Sequence, residues 1–139
     1  MRIGVPKEIK LQENRIGLTP DSVKALTTNG HKVLVENNSG FEAGFDNDQY
    51  KKAGAKIVAN AEDIFNDSEI IVKVKEPLSN EVKMIKENQI IFTYLHLAAS
   101  KELTKALVKS KAVCIAYETV TDNNGRLPLL APMSAVAGR

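Results

Sequence analysis

His96 stands alone in FTYLHLAAS, residues 92–100, just past the apolar run QIIFTYL. Near neutral pH an imidazole takes or gives a proton, so a histidine at the mouth of a pocket can act as a general acid/base. Inside the run it would be a satisfied core histidine; its place beyond the run's end favours a rim. Other polar groups fall at equivalent places. EIIVKVK ends at Lys75, AVCIAY is followed by Glu118, and MRIGV is followed by a polar segment holding Lys7, Glu8, Glu13, Asn14 and Arg15. Two cations, a histidine and a carboxylate suit a small carboxylate substrate. A guanidinium fork matches two carboxylate oxygens, an ammonium adds a point charge, and the imidazole moves the proton. Bland readings stand beside these. Arg15 can close a loop salt bridge to Glu13 or Glu8. Lys75 can be a solvated strand end, and Lys73 shares its parity, so the pattern does not rank the two. Glu118 can be a structural hydrogen-bond acceptor, and His31, after Asn29-Gly30, reads as a surface residue.

The elements that must position these groups alternate along the chain. Apolar runs at Met1–Val5, His31–Glu36, Lys56–Ala59, Glu69–Lys75, Gln89–Leu95 and Ala112–Tyr117 read as strands. Between them, Thr19-Pro20-Asp21-Ser22, Asp46, Asn60, Ser79 and Ser100 open helices, and Asn29-Gly30 and Gly54 close two of them. The helix from Ser79 is expected to carry Val82, Ile85 and Lys86. Strand–helix alternation predicts an α/β fold of three layers, a mostly parallel sheet with helices on both faces. Such sheets bind ligands outside the carboxyl ends of their strands, where the polar groups above would gather. Asp122-Asn123-Asn124-Gly125 predicts a small C-terminal hairpin between Val120 and Leu127. A domain is expected over residues 1–130. Residues 131–139 would begin a connection to a further domain, since a fresh apolar pattern starts after Pro132 and simply stops.

Composition narrows the function classes. A formal net charge of +2 with scattered Lys and Arg gives no nucleic-acid surface, and 5% aromatic residues without Trp give no stacking platform. The one cysteine, Cys114, excludes an internal disulfide and reads as a buried strand residue in a reducing compartment. No run is long enough to span a membrane or to serve as a signal peptide, so a cytoplasmic location is expected. The loop NNSGFEAGF spaces its glycines G-x-x-x-G, and no G-x-G occurs anywhere, so neither a dinucleotide fingerprint nor a P-loop is present. No cluster has metal-ligand spacing.

MRIGVPKEIKLQENRIGLTP resembles the opening signature of the alanine dehydrogenase and nicotinamide nucleotide transhydrogenase family. FEAGFDNDQYKKAGAKI, IIVKVKEP, YLHLAA, AYETV and LPLLAPMSAVAGR continue the likeness in order, over essentially the whole chain. YLHLAA is similar to the alanine dehydrogenases; transhydrogenases differ there. The resemblance implies an NAD-dependent conversion of L-alanine and water to pyruvate and ammonia. It implies His96 as the catalytic acid/base, and Arg15 and Lys75 as holders of the substrate carboxylate. Tyr94, Glu118 and Met133 would line or support the pocket, and Ser134 would contact NAD. It also implies a homo-oligomer, a hexamer, in the full-length protein. The family's NAD-binding domain would lie beyond Arg139, so the chain alone is expected to be inactive. The alternatives are a transhydrogenase alpha-subunit domain, or a stand-alone module that binds small carboxylates or a protein without catalysis.

Overall fold

The computed structural model describes residues 1–97 and 100–126. The expected boundary at 130/131, the second arm of the hairpin, Met133 and Ser134 lie outside the described residues.

Six strands form one sheet: β1 (Arg2–Val5), β2 (Lys32–Glu36), β3 (Lys56–Val58), β4 (Ile70–Val72), β5 (Ile90–Thr93) and β6 (Val113–Ala116). Their order is β3-β2-β1-β4-β5-β6, and every pairing is parallel rather than mostly so. The order reverses between β1 and β4, so the connections leaving these two strands diverge and open a crevice at their carboxyl ends.

Local chemistry sets the helices. Thr19 caps α1 (Pro20–Thr28) by accepting the Ser22 N–H at 3.2 Å, and Gly30 at φ +88° ends the turn behind it. Asp46 and Gln49 cap each other at the start of α2 (Asn47–Lys52). Asn60 caps α3 (Ala61–Asp67), and Ser100 caps α5 (Lys101–Ser110). Between them α4 (Ser79–Val82) is a single turn. It stops short of the expected length. Beyond it Met84 and Ile85 bond only three residues back, to Glu81 and Val82, and the buried Gln89 side chain accepts the Lys86 N–H at 3.1 Å.

Two apolar clusters confirm the three layers. Val23, Leu26 and Tyr50 of α1 and α2 pack on Ile3, Val5, Val33 and Val35. Ile64 and Phe65 of α3 pack with Met84 and Ile85 on the opposite face, against Ile71 and Ile91. The last strand, β6, forms an edge, with Val113 and Ile115 49% and 41% exposed. Cys114 is therefore half-buried, not buried as its apolar run implied; partial burial still pushes its thiol up. After β6 the chain makes the expected turn, Asp122 Oδ1 accepting the N–H groups of Asn124 and Arg126 at 2.9 Å each.

Two strands end earlier than their apolar runs. The expected strand Glu69–Lys75 stops at Val72, where the Glu8 carboxylate takes the N–H groups of Val74 and Lys75. The expected strand Gln89–Leu95 stops at Thr93, where the Glu118 carboxylate takes those of Leu95 and His96.

Tyr50 ties the fold to the site. It is fully buried, donates its hydroxyl to the Leu18 carbonyl at 2.8 Å, and meets the Phe45 ring edge-on. Gly40 lets it in: a Cβ there would lie 2.7 Å from the Tyr50 ring. Burial pushes the Tyr50 phenol from 10.0 up to about 12. A raised folded-state value means that the unfolded chain loses this proton first. The stabilising contribution is therefore complete below pH 10 and is lost as pH rises through about 12. Tyr50→Phe should lower stability by about 1–2 kcal/mol at pH 7 by orphaning the Leu18 carbonyl. It should also flatten the fall in denaturation midpoint between pH 10 and 12, followed by circular dichroism.

Candidate active site

Arg15 lies in the connection between β1 and α1, residues 6–19. Its Nε and Nη2 donate to the Glu13 carboxylate at 2.9 and 2.8 Å, and its own N–H bonds the same group at 2.9 Å. The loop salt bridge anticipated from the sequence is therefore present. It uses two of the guanidinium's five N–H donors and leaves Nη1 without a partner among the described residues. The charge-assisted bonds hold the Glu13 carboxyl below its ordinary range and push the guanidinium further up. Gly17 presses the same segment onto β4: a Cβ there would lie 2.5 Å from the Val72 carbonyl oxygen. Arg15 thus sits on the rim of a hollow of about 380 Å³, whose wall also includes Thr19, Phe45, Tyr94 and Tyr117.

The two lysines that parity left unranked differ sharply here. Lys73 is buried with its side chain 2% exposed, and its Nζ lies 3.3 Å from Glu8 and 3.0 Å from Glu81. Though Lys73 contributes to the wall of the hollow, its ammonium is committed to those two carboxylates. Lys75 is half-buried and forms no ion pair among the described residues. Its backbone is pinned on both sides, its N–H by Glu8 at 3.1 Å and its carbonyl by the Thr93 hydroxyl at 2.8 Å. Its positive charge acts on the Glu13 carboxylate, which places it in the field of the Arg15–Glu13 pair.

His96 is exposed and left-handed, with φ +50°. Such a backbone is uncommon outside glycine. Both Leu95 and His96 donate their N–H groups to Glu118 Oε1 at 3.0 Å, and Leu95 also reaches Oε2 at 3.3 Å. Glu118 therefore spends its carboxylate on the main chain that presents His96. The side chain of His96 lies in the field of Glu76, whose carboxylate pairs with Lys10. Burial raises Glu76, but the Lys10 hydrogen bond, with smaller help from the Lys10 and His96 charges, leaves its carboxyl below the ordinary range.

Tyr94 is buried in the wall and stands edge-on to Tyr117, with ring centroids 4.7 Å apart. Burial pushes the Tyr94 phenol up, and the Arg15 charge partly offsets it. Tyr117, pushed up by burial, bridges Tyr94 and Phe92. The sequence reading missed Tyr117; its signal was an aromatic residue directly before Glu118 at a strand end. It also missed Glu81, whose partner lies across the fold. His31 is half-buried rather than a surface residue.

At the carboxyl edge of the sheet, Arg15, Lys75, Tyr94, His96 and Glu118 thus follow β1, β4, β5 and β6. Arg15 and Tyr94 share the hollow; His96 lies towards Glu76 and Lys10. Nothing in the β1–α1 connection forms a dinucleotide cradle. Its one glycine, Gly17, is filled by the Val72 carbonyl rather than open to a phosphate. Among the described residues, no group of three or more His, Cys, Asp or Glu could hold a metal ion, and no helix is long and apolar enough to cross a membrane.

Comparison with known proteins converges on one family. A family model described as alanine dehydrogenase/PNT, N-terminal domain, matches residues 4–137. The alanine dehydrogenase of Staphylococcus epidermidis is 55% identical over 139 residues, which are 100% of this chain and 37% of that protein. That of Methanococcus maripaludis is 52% identical over the same 139 residues, again 37% of its length. A solved L-alanine dehydrogenase matches with a TM-score of 0.96 at 52% identity, covering 100% of this chain and 38% of that one. A transhydrogenase from Sinorhizobium meliloti matches with a TM-score of 0.80 at 24% identity, over 85% of this chain and 35% of that one, a likeness of fold. Spanning 37% of the length of these curated relatives, the chain belongs to the alanine dehydrogenase/PNT N-terminal domain family.

Proposed function

We propose that this chain is the substrate-holding part of an NAD-dependent L-alanine dehydrogenase. The observation that carries the reading is the division of labour between the lysines. Lys73 is neutralised in the interior, whereas Lys75, whose charge reaches the Glu13 carboxylate, has no ion pair among the described residues. A carboxylate entering the hollow would meet Arg15, whose Nη1 has no partner among the described residues, with Tyr94 in the wall; Lys75, which does not line the hollow, would add its charge from the adjoining strand exit. His96, from the next strand end, would serve at the reacting carbon. In deamination its imidazole takes the proton of the water that attacks the imino carbon. In the reverse direction the protonated ring polarises the pyruvate carbonyl. Glu118 supports this site through the main chain. By resemblance to the family, Met133 would line the pocket and Ser134 would contact NAD; both lie outside the described residues.

NAD supplies hydride chemistry in the longer protein, bound by a domain beyond these residues. Positioning the nicotinamide against the substrate carbon needs that domain, so the chain alone turns nothing over. The protein is a cytoplasmic hexamer acting on alanine and pyruvate in this reading. Identities of 52–55% to alanine dehydrogenases, against 24% to the transhydrogenase, support it over the transhydrogenase alternative. A stand-alone carboxylate- or protein-binding module would use the hollow without His96.

In the full-length protein, His96→Ala should lower kcat roughly 10²–10⁴-fold while pyruvate still binds; unchanged turnover would remove His96 from the chemistry. Lys75→Ala should raise the pyruvate KM roughly 10- to 100-fold with little loss of stability. Lys73→Met should instead cost about 3–5 kcal/mol of stability, because it strands two buried carboxylates; thermal melts and steady-state kinetics separate the two. Gly17→Ala should raise the pyruvate KM, since its Cβ cannot coexist with the Val72 carbonyl and the Arg15 segment must lift.

A further inference from the structure

Glu8 takes no part in the chemistry above, yet its carboxylate is one of the most enclosed polar groups in the protein, with the side chain 2% exposed. Its Oε1 accepts from Lys73 Nζ at 3.3 Å and from the Lys75 N–H at 3.1 Å, and its Oε2 accepts the Val74 N–H at 3.2 Å. Burial pushes the carboxyl up, and Lys73 and the two amides pull against that. All three donors belong to the exit of β4, on the other side of the switch point.

Glu8 itself belongs to the β1–α1 connection, the segment that carries Arg15. One side chain therefore joins the segment bearing the guanidinium to the strand end bearing the Lys75 ammonium. A purely stabilising role would need only the ion pair with Lys73, and Glu81 already gives Lys73 a carboxylate at 3.0 Å. The two amide bonds add something different: they fix the main chain at Val74 and Lys75. The Thr93 hydroxyl fixes the other side of Lys75, so its Cα is held from β1 and from β5 at once. Gly17, close against Val72, keeps the Arg15 end of the same connection at a set height.

We propose that Glu8 is a positioning residue that sets the separation between Arg15 and Lys75, and so fits the pair to a carboxylate. The inference rests on the carboxylate-binding reading above. Two variants of the full-length protein probe it. Glu8→Asp keeps a negative partner for Lys73 but withdraws the carboxylate from the two amides. Glu8→Gln keeps the reach but offers one acceptor oxygen. Steady-state kinetics with pyruvate, alongside thermal melts, should give about a tenfold rise in KM for Glu8→Asp, with kcat close to the parent and a lowered melting midpoint from the two amides left unpaired. Glu8→Gln should raise KM as well, with some loss of stability. In a Lys75→Ala background, Glu8→Asp should add less than about twofold, because its effect runs through Lys75.

A Glu8→Asp protein with parental KM overturns the inference, as does a tenfold effect that persists in the Lys75→Ala background. If Lys75→Ala raises KM while Glu8→Asp does not, only the role of Glu8 fails. If Lys75→Ala leaves KM unchanged, the carboxylate-binding reading fails and takes the inference with it.

Discussion

The site depends on a buried charge. Lys73 sits between Glu8 and Glu81, and none of the three side chains is more than 2% exposed. Charges taken out of water are costly unless each finds close partners and hydrogen bonds, and removal of one member leaves the others stranded. This network meets that requirement. Glu8 also accepts two amides, and Glu81 also accepts the Leu78 N–H at 3.0 Å. The consequence is architectural. The exit of β1, the exit of β4 and the start of α4 are locked together around one ammonium.

That lock explains how the sheet yields a rim of chemical groups rather than longer strands. A parallel strand continues while its N–H groups find carbonyls on a neighbour. Lys73 and Tyr94 still find carbonyls, of Phe92 and Val74; the next N–H groups find carboxylates, Glu8 in one case and Glu118 in the other. Each carboxylate comes from an adjacent strand's exit and ends the strand that it grips. Released from the ladder, Lys75 presents a cation with no ion pair among the described residues, and His96 adopts the left-handed backbone that an ordinary strand would forbid. Glu13 acts on a side chain instead. By holding one edge of the Arg15 guanidinium, it fixes the plane and leaves Nη1 without a partner among the described residues.

Much of the fold was legible because its signals are local. Thr19, Asp46, Asn60 and Ser100 each cap the helix they open, and the apolar runs lie in the sheet as expected. The candidate site was legible as a set of strand exits. Their contacts were not, because they are made across long separations. Nothing near Lys73 in the chain distinguishes it from Lys75; Glu8, at a separation of 65 residues, does. The exposure of β6 depends on strand order, which no single run of sequence encodes. Tyr117 went unread because its importance lies in edge-to-face contacts with Tyr94 and Phe92 from the neighbouring strand.

The most direct check is a crystal structure of the full-length protein with pyruvate bound. The account places the two carboxylate oxygens within roughly 3 Å of Arg15 and Lys75, with Lys73 still enclosed between Glu8 and Glu81 and the keto group turned towards His96. Pyruvate held elsewhere, or held by Lys73 with Lys75 turned to solvent, would contradict it.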